Sequence, residues 1–469
     1  MPNIALAGPS YALRNRTADV QRCVNWVPVQ IESGTGKGGA QSYLKQVPGK
    51  TAFGSALAGP VRGARTCRGL LYVVAGTSLY RVSAVGAATV LGAVSGTSPV
   101  GMSDNNTQLC IATGEKGYVL DLDTDAFSAI STNWLGSARV DVLDGYGLFT
   151  VPGSAQIYTS NIQDFSQIDA LSYAAADSST GAVVSHLVKH REALILKERS
   201  GEVWYDAGNI DGIPLSVNTG ASIEAGCMAA HSLRKIAGLA LWLGQDDRGS
   251  AVVFAMSSYV PQRISTHALE ELLAARTQDE LSAAVAYTYH QEGLSYYVLQ
   301  VQGLSTTWVY ELAGGIWHER GEWVDGAWTR DLGVCHAHAY GRHIVGGSDG
   351  VLYTLDVASN RSAGRALVRD RITPHAASPS LDRVRFASAQ IDCNVGIGLS
   401  GADAALMLRY SNDGGMVWGS WRHLSLGNIG EYQARCRATM LGAARDRVWQ
   451  IRVTDDVRCE PVSMIVNES

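Results

Sequence analysis

Short apolar runs rich in β-branched and aromatic residues recur along most of the chain, each broken by a Gly, Ser or Asp turn and followed by a second run of the same kind. Residues 70–82 (LLYVVAGTSLYRV) and 109–123 (LCIATGEKGYVLDLD) are the clearest copies; looser ones occupy 148–159, 193–206, 240–256, 295–312 and 343–356. Each reads as a two-stranded hairpin. The spacing between successive copies runs roughly from the high thirties to the mid fifties of residues, close to the repeat length of a propeller blade. A lone hairpin is marginal in water, whereas sheets of about four strands set around an axis bury both faces of each unit and leave few open edges. The pattern therefore predicts an all-β chain whose main body is a β-propeller of about six or seven blades.

Three stretches depart from this period. Residues 265–284 (STHALEELLAARTQDELSAA) carry Leu269, Leu272, Leu273 and Leu281 at helical spacing behind a capping candidate, Ser265 or Thr266, which predicts one helix inserted between blades and packed on the propeller side. Beyond an Arg-rich connector, Pro374 and Pro379, longer alternating strands at 386–393, 405–410, 432–440 and 447–453 predict a C-terminal antiparallel β-sandwich. Residues before the first hairpin mix Pro, Gly and isolated aromatics, including the glycine-rich 34–39. The expected division is an N-terminal arm or clasp at 1–55, the propeller at 56–365 and the sandwich at 366–469.

Composition supports a folded chain too long for one core: 469 residues, 46% apolar, 17% charged and 51 glycines, which suit many tight turns. The net charge of −5 lacks the basic footprint of a tight nucleic-acid binder. Charge is uneven, since the segment after Asn360 holds fourteen arginines and no lysine against eleven acids, an asymmetry that points to protein contacts. Eight cysteines (Cys23, Cys67, Cys110, Cys227, Cys335, Cys393, Cys436 and Cys459) form no CxxC pair and read as buried reduced thiols. Neither a signal peptide nor a run of about eighteen apolar residues is present, so synthesis in a reducing cytoplasm without a membrane anchor is expected.

The sharpest motif is Ser411, Asp413, Gly415 and Trp418 in SNDGGMVW, the S-x-D-x-G-x-x-W pattern of an Asp box. Asp413 is expected to accept backbone N–H bonds inside a hairpin turn with Trp418 plugging the space beneath, a structural role. Asp boxes also occur in sialidases, where several recur through the propeller. Here one occurs, and no pair of carboxylates is assignable as acid and nucleophile.

Other matches lack their context. Gly346, Ser348 and Gly350 spell G-x-S-x-G, but strand follows where a nucleophile elbow needs a helix, so a hairpin turn is expected. Gly396, Gly398 and Gly401 spell G-x-G-x-x-G without a following helix, and Gly36-Lys37 lacks the Ser or Thr of a phosphate loop. Cys335, His336, His338 and His343 suggest a metal cluster, yet strand alternation separates Cys335 from the histidines; His186 and His190 lack the Glu of HExxH and read as strand. No catalytic residue, metal site or cofactor is expected.

Val24-Asn25-Trp26-Val27-Pro28, Tyr43-Leu44 and Pro48-Gly49 resemble the start of the packaged-DNA stabilisation proteins, or tail hubs, of short-tailed bacteriophages. The segments 410–418, 430–432 (GEY) and 441–452 (LGAARDRVWQIR), then Thr454-Asp455, resemble the same family's C-terminal domain, and Ile264-Ser265-Thr266 with Leu269-Glu270 its interblade helix. The departures lie in blade loops and in the short N-terminal region. The resemblance implies a structural virion protein of the tail. It implies a hexameric ring that docks below the head-to-tail adaptor, retains packaged DNA, anchors spikes, fibres or a needle, and conducts double-stranded DNA during ejection. An acidic balance is compatible with a conduit that should not grip phosphate. The rival readings are a propeller glycoside hydrolase and a propeller glycan-binding module of a phage tail.

Overall fold

The computed structural model describes residues 3–4, 6–34, 36, 40–246, 248–378, 380–397 and 404–468; Lys37, Pro379, Gly398 and Gly401, singled out above, lie outside the described residues. Among the described residues seven four-stranded antiparallel units follow one another, all their strands between Val61 and Asp356 except the outer strand of the seventh. Blade 1 is built of Val61–Cys67, Leu70–Ala75, Ser78–Val82 and Ala88–Ala93, and blade 2 of Gly101–Asp104, Gln108–Ala112, Gly117–Asp121 and Phe127–Ala129. Blade 3 runs from Asp141–Leu143 to Tyr173–Ala175, blade 4 from Val183–Lys189 to Leu215–Ile223 and blade 5 from Arg234–Ile236 to Gln262–Arg263. Blade 6 contains Val285–Gln291, Leu294–Gln300, Thr307–Glu311 and Ile316–Val324. The seven hairpins read from the sequence are the middle strand pairs of these seven blades.

The first strands of successive blades touch in a closed ring, with that of blade 7, Gly333–Ala339, returning to that of blade 1. Alternation explains the packing. In Leu70–Ala75, Leu71, Val73 and Ala75 face blade 7 while Tyr72 and Val74 face blade 2, so one strand feeds two apolar layers. Each gap between blades has its own such layer, and none of the two-stranded repeats could supply both walls alone.

Blade 7 takes its outer strand from the other end of the chain. Gly333–Ala339, Arg342–Gly347 and Leu352–Asp356 are completed by Gly49–Ala52, which pairs antiparallel with Leu352–Asp356. Gly49 is needed there, because a Cβ would meet the carbonyl oxygens of Arg361 and Ser359 at 2.4 and 2.6 Å. The stretch expected as one helix folds as two, His267–Ala274 and Gln278–Ser282. Thr266 caps the first, and Thr277 opens a second through a capping box with Glu280, so the chain restarts instead of continuing. Leu269, Leu273 and Leu281 are buried between blades 5 and 6; Leu272 is exposed.

The C-terminal part is a two-sheet sandwich. One sheet orders Asn3–Ile4, Ser463–Glu468, Val384–Asp392 and Cys436–Thr439; the other contains Arg369–Ile372, Asp446–Val453, Ala405–Ser411 and Arg422–Ser425. Phe386, Leu406, Leu408, Trp449, Ile451 and Met464 fill the space between them. Among the described residues no helix is long and apolar enough to cross a membrane.

Candidate functional site

The second sandwich sheet does not end at the sandwich. Val20–Val24 pairs antiparallel with Arg369–Ile372 and, through Val24 and Glu319, in parallel with the outer strand of blade 6, so hydrogen bonding runs from blade 6 into the C-terminal sheet. Asn25 makes the turn that follows. Its φ of 58° suits asparagine better than most residues, and its buried side chain donates to Gly321 O (2.8 Å) and Val368 O (2.7 Å) and accepts from Gly321 N (3.1 Å). The next strand, Trp26–Gln30, serves both domains: Trp26 lies in the sandwich core, with Nε1 donating to Cys459 O at 2.9 Å, while Val27 lies between blades 6 and 7.

An aromatic and arginine ladder covers this junction. Because Leu406, Leu408, Ile451 and Val453 point into the sandwich, Arg409 and Arg452 point out of it. Arg452 lies 4.3 Å from the ring centre of Trp323 of blade 6 and 5.2 Å from that of Trp421; Arg409 lies 4.3 and 4.9 Å from Trp421 and Trp418. Asp370 accepts from Arg452 Nε (2.6 Å) and Gln450 Nε2 (2.8 Å), which fixes the cation over its ring. Arg22 closes the blade side with Nε and Nη2 on Glu319 at 3.1 and 2.7 Å.

Arg22 and the Thr306 hydroxyl offset the burial of Glu319 and hold its carboxyl below the usual value of 4.5. A carboxyl depressed by folding stabilises the native state above the unfolded value and loses that contribution as pH falls through the folded one. Glu319→Gln is therefore expected to flatten the acid limb of stability, with its difference from wild type in urea midpoint shrinking as pH drops below about 4.5. A constant difference down to the acid transition would refute this assignment.

The Asp-box residues come together at the end of Ala405–Ser411. Ser411 Oγ accepts from Gly415 N at 2.9 Å, and Asp413 Oδ1 accepts from Met416 N and Val417 N at 3.0 and 2.9 Å. The Trp418 indole packs beneath, 3.3 Å from where a Cβ on Gly415 would stand. Arg16 from the N-terminal segment donates to Gly415 O at 2.8 Å, a contact across 399 residues that spacing alone could not show. Met416 and Val417 are exposed on the same turn.

A cavity of about 770 Å³ lies on the propeller axis, lined by the first strands of all seven blades. Its charged lining comprises Arg62, Arg65, Arg139, Arg234, Lys235, Asp104 and Asp141, with His231, His336 and His338 beside them. Burial and the neighbouring Arg234 and Arg139 hold His231 down at about 3, so it is neutral. Propeller geometry brings these residues together from positions up to 276 apart, and no local motif signals them.

The remaining candidates fall as follows. Ser348 sits in the hairpin turn between Arg342–Gly347 and Leu352–Asp356, where strand follows. His186 is buried in a strand of blade 4 and His190 lies in the next turn. His336 and His343 stack, with His336 Nε2 3.1 Å from His343 Nδ1 and His338 edge-on to His343, while Cys335 points to Gly346. Among the described residues no group of three or more His, Cys, Asp or Glu could hold a metal ion. Six of the eight cysteines are buried, and burial pushes the thiols of Cys23, Cys67 and Cys227 up to about 12.

Two family models match in tandem. That of the bacteriophage P22 Gp10 beta-propeller covers residues 19–360, and that of the bacteriophage P22 Gp10 beta-sandwich covers residues 371–466. The chain belongs to this family. Its members are the tail hub, or packaged-DNA stabilisation, proteins of short-tailed phages, and the chain is accordingly a structural protein of a phage tail. The motif of residues 24–28, on which the resemblance began, is the segment that joins blade 6 to the sandwich. No curated protein matches the chain.

Solved structures similar in fold include the computationally designed Ika8 protein (11% identity, 66% of this chain, 99% of that one, TM-score 0.41) and the N-terminal domain of Nup159 (9%, 66%, 95%, 0.42). The WD40 domain of Toxoplasma gondii coronin is another (10%, 74%, 87%, 0.38).

Proposed function

We infer that this chain is the subunit of a hexameric tail-hub ring. The ring docks on the head-to-tail adaptor, retains packaged DNA, anchors spikes, fibres or a needle, and forms part of the ejection channel. The observation that carries this reading is the union of propeller and sandwich through one run of hydrogen-bonded strands and the Arg–Trp ladder. A subunit that must transmit load between head and tail gains from having no free hinge between its domains. In this reading residues 1–55 act as a clasp, giving strands to blade 7, the junction and the sandwich, with the propeller at 56–365 and the sandwich at 366–469.

The Asp-box turn of Ser411, Asp413, Gly415 and Trp418 is then a structural element that seats Arg16, and the protein acts by assembly without catalysis. The carboxylates of the axial cavity, Asp104 and Asp141, each stand beside an arginine, at 2.9 and 3.8 Å, and neither is an evident acid or nucleophile for a glycoside hydrolase. Mixing the purified chain with portal–adaptor complexes and imaging by electron microscopy tests the proposal. Six-fold rings seated on the adaptor are the expected result, and free monomers beside bare adaptor would overturn it.

A further inference from the structure

The axial cavity holds more positive charge than its surroundings call for. In a chain of net charge −5, five cationic side chains line it against two carboxylates. Arg65 and Asp104 neutralise each other at 2.9 Å. That leaves Arg62, Arg139, Arg234 and Lys235 with one further carboxylate in the lining, Asp141, which reaches Arg139 only at 3.8 Å.

Internal bonding accounts for Arg62 and for part of Arg139. Arg62 donates to the carbonyls of Gly76, Val94, Ser95 and Ser98 and so ties the edge of blade 1 together. Arg139, 7% exposed, spends Nη1 on Leu233 O and Ala230 O at 2.7 and 3.3 Å. Arg234 is different. Its Nε donates to Ala286 O at 2.6 Å, and among the described residues its two terminal nitrogens have no protein acceptor. Lys235, next in the same strand, has no carboxylate within 4 Å among the described residues. Two guanidiniums and an ammonium gathered along one cavity wall repel one another, and an anion among them removes that cost.

We propose that the axial cavity binds a small phosphate-bearing anion, held by Arg139, Arg234 and Lys235 with Arg65 at its edge. A phosphate dianion matches the excess of positive charge better than one carboxylate does, and the guanidinium fork suits two phosphate oxygens at once. A cavity of about 770 Å³ admits either free inorganic phosphate or the phosphate groups of a nucleotide. His231, held neutral, stands in the same wall as a hydrogen-bond partner. The site lies on the axis of one propeller, so it does not depend on the ring proposed above.

Calorimetric titration of the full chain in chloride buffer tests it, with inorganic phosphate in one arm and a nucleoside triphosphate in the other. Saturable binding in either arm, weakened about tenfold or more in the double variant Lys235→Gln/Arg65→Gln, is the expected result. Both replaced side chains reach solvent, so the variant is expected to fold; Arg361→Gln, on a surface pair with Asp456 away from the axis, should bind as wild type. The arm that saturates identifies the source of the phosphate. Absence of saturation in both arms at millimolar ligand overturns the proposal, as does undiminished binding in the double variant. Binding confined to an acidic peptide run as a third titrant also overturns it.

Discussion

Replacing Lys50 by methionine is expected to destabilise the propeller by about 3–5 kcal/mol, because it leaves two buried carboxylates without their counter-ion. Lys50 lies in the strand Gly49–Ala52 that completes blade 7, and its Nζ meets Asp331 Oδ2 at 2.5 Å and Glu322 Oε1 at 3.1 Å. All three groups are at most 7% exposed. Ser362 donates to the same Glu322 oxygen at 2.7 Å, so the cluster joins the N-terminal strand, the end of blade 6 and the segment leaving blade 7. The two carboxylates outweigh burial and keep the ammonium raised above its ordinary value.

Urea midpoints followed by tryptophan fluorescence at neutral pH measure the loss. A loss under about 1 kcal/mol at neutral pH would mean that the pairs barely exceed their desolvation cost, and the closure would then rest on backbone pairing alone.

The second large effect is expected at Trp26. Its side chain is fully buried among Leu44, Trp449 and Cys459, and truncation to alanine should cost about 3–5 kcal/mol through the cavity it opens. Val27 points the other way, into the layer between blades 6 and 7. Trp26→Ala should therefore raise hydrogen exchange first in the sandwich strands Asp446–Val453 and Ser463–Glu468, and Val27→Ala first in blade 6. The same pattern of exchange in both variants would show that one strand does not serve two separable cores.

Much of this architecture is written locally. Strands of Leu70–Ala75 type alternate so strongly that their hairpins, their number and the need for closure all follow from side-chain period and turn chemistry. Asp413 with Gly415 and Trp418 likewise satisfies its turn from within eight residues, so its geometry was legible. The break between the two helices was not, although Thr277 and Glu280 carried the capping-box signal, because Leu269 to Leu281 read through it as one periodic face. Contacts such as Arg16 with Gly415, or Lys50 with Asp331, leave no trace in local pattern, since each partner by itself is an ordinary surface residue type.

By itself the sequence determined the repeated hairpin, the terminal sandwich and the kinship with phage tail hubs, because strand alternation, turn residues and ordered motifs act over a few residues. Tertiary structure alone decided that blade 7 is finished by residues 49–52, that Val20–Val24 carries the sheet of blade 6 into the sandwich, and that an acidic chain gathers arginines on its axis. These depend on which distant strands meet when the disc closes, and burial there gives side chains such as Lys50 and Arg234 energies that no exposed peptide would give them.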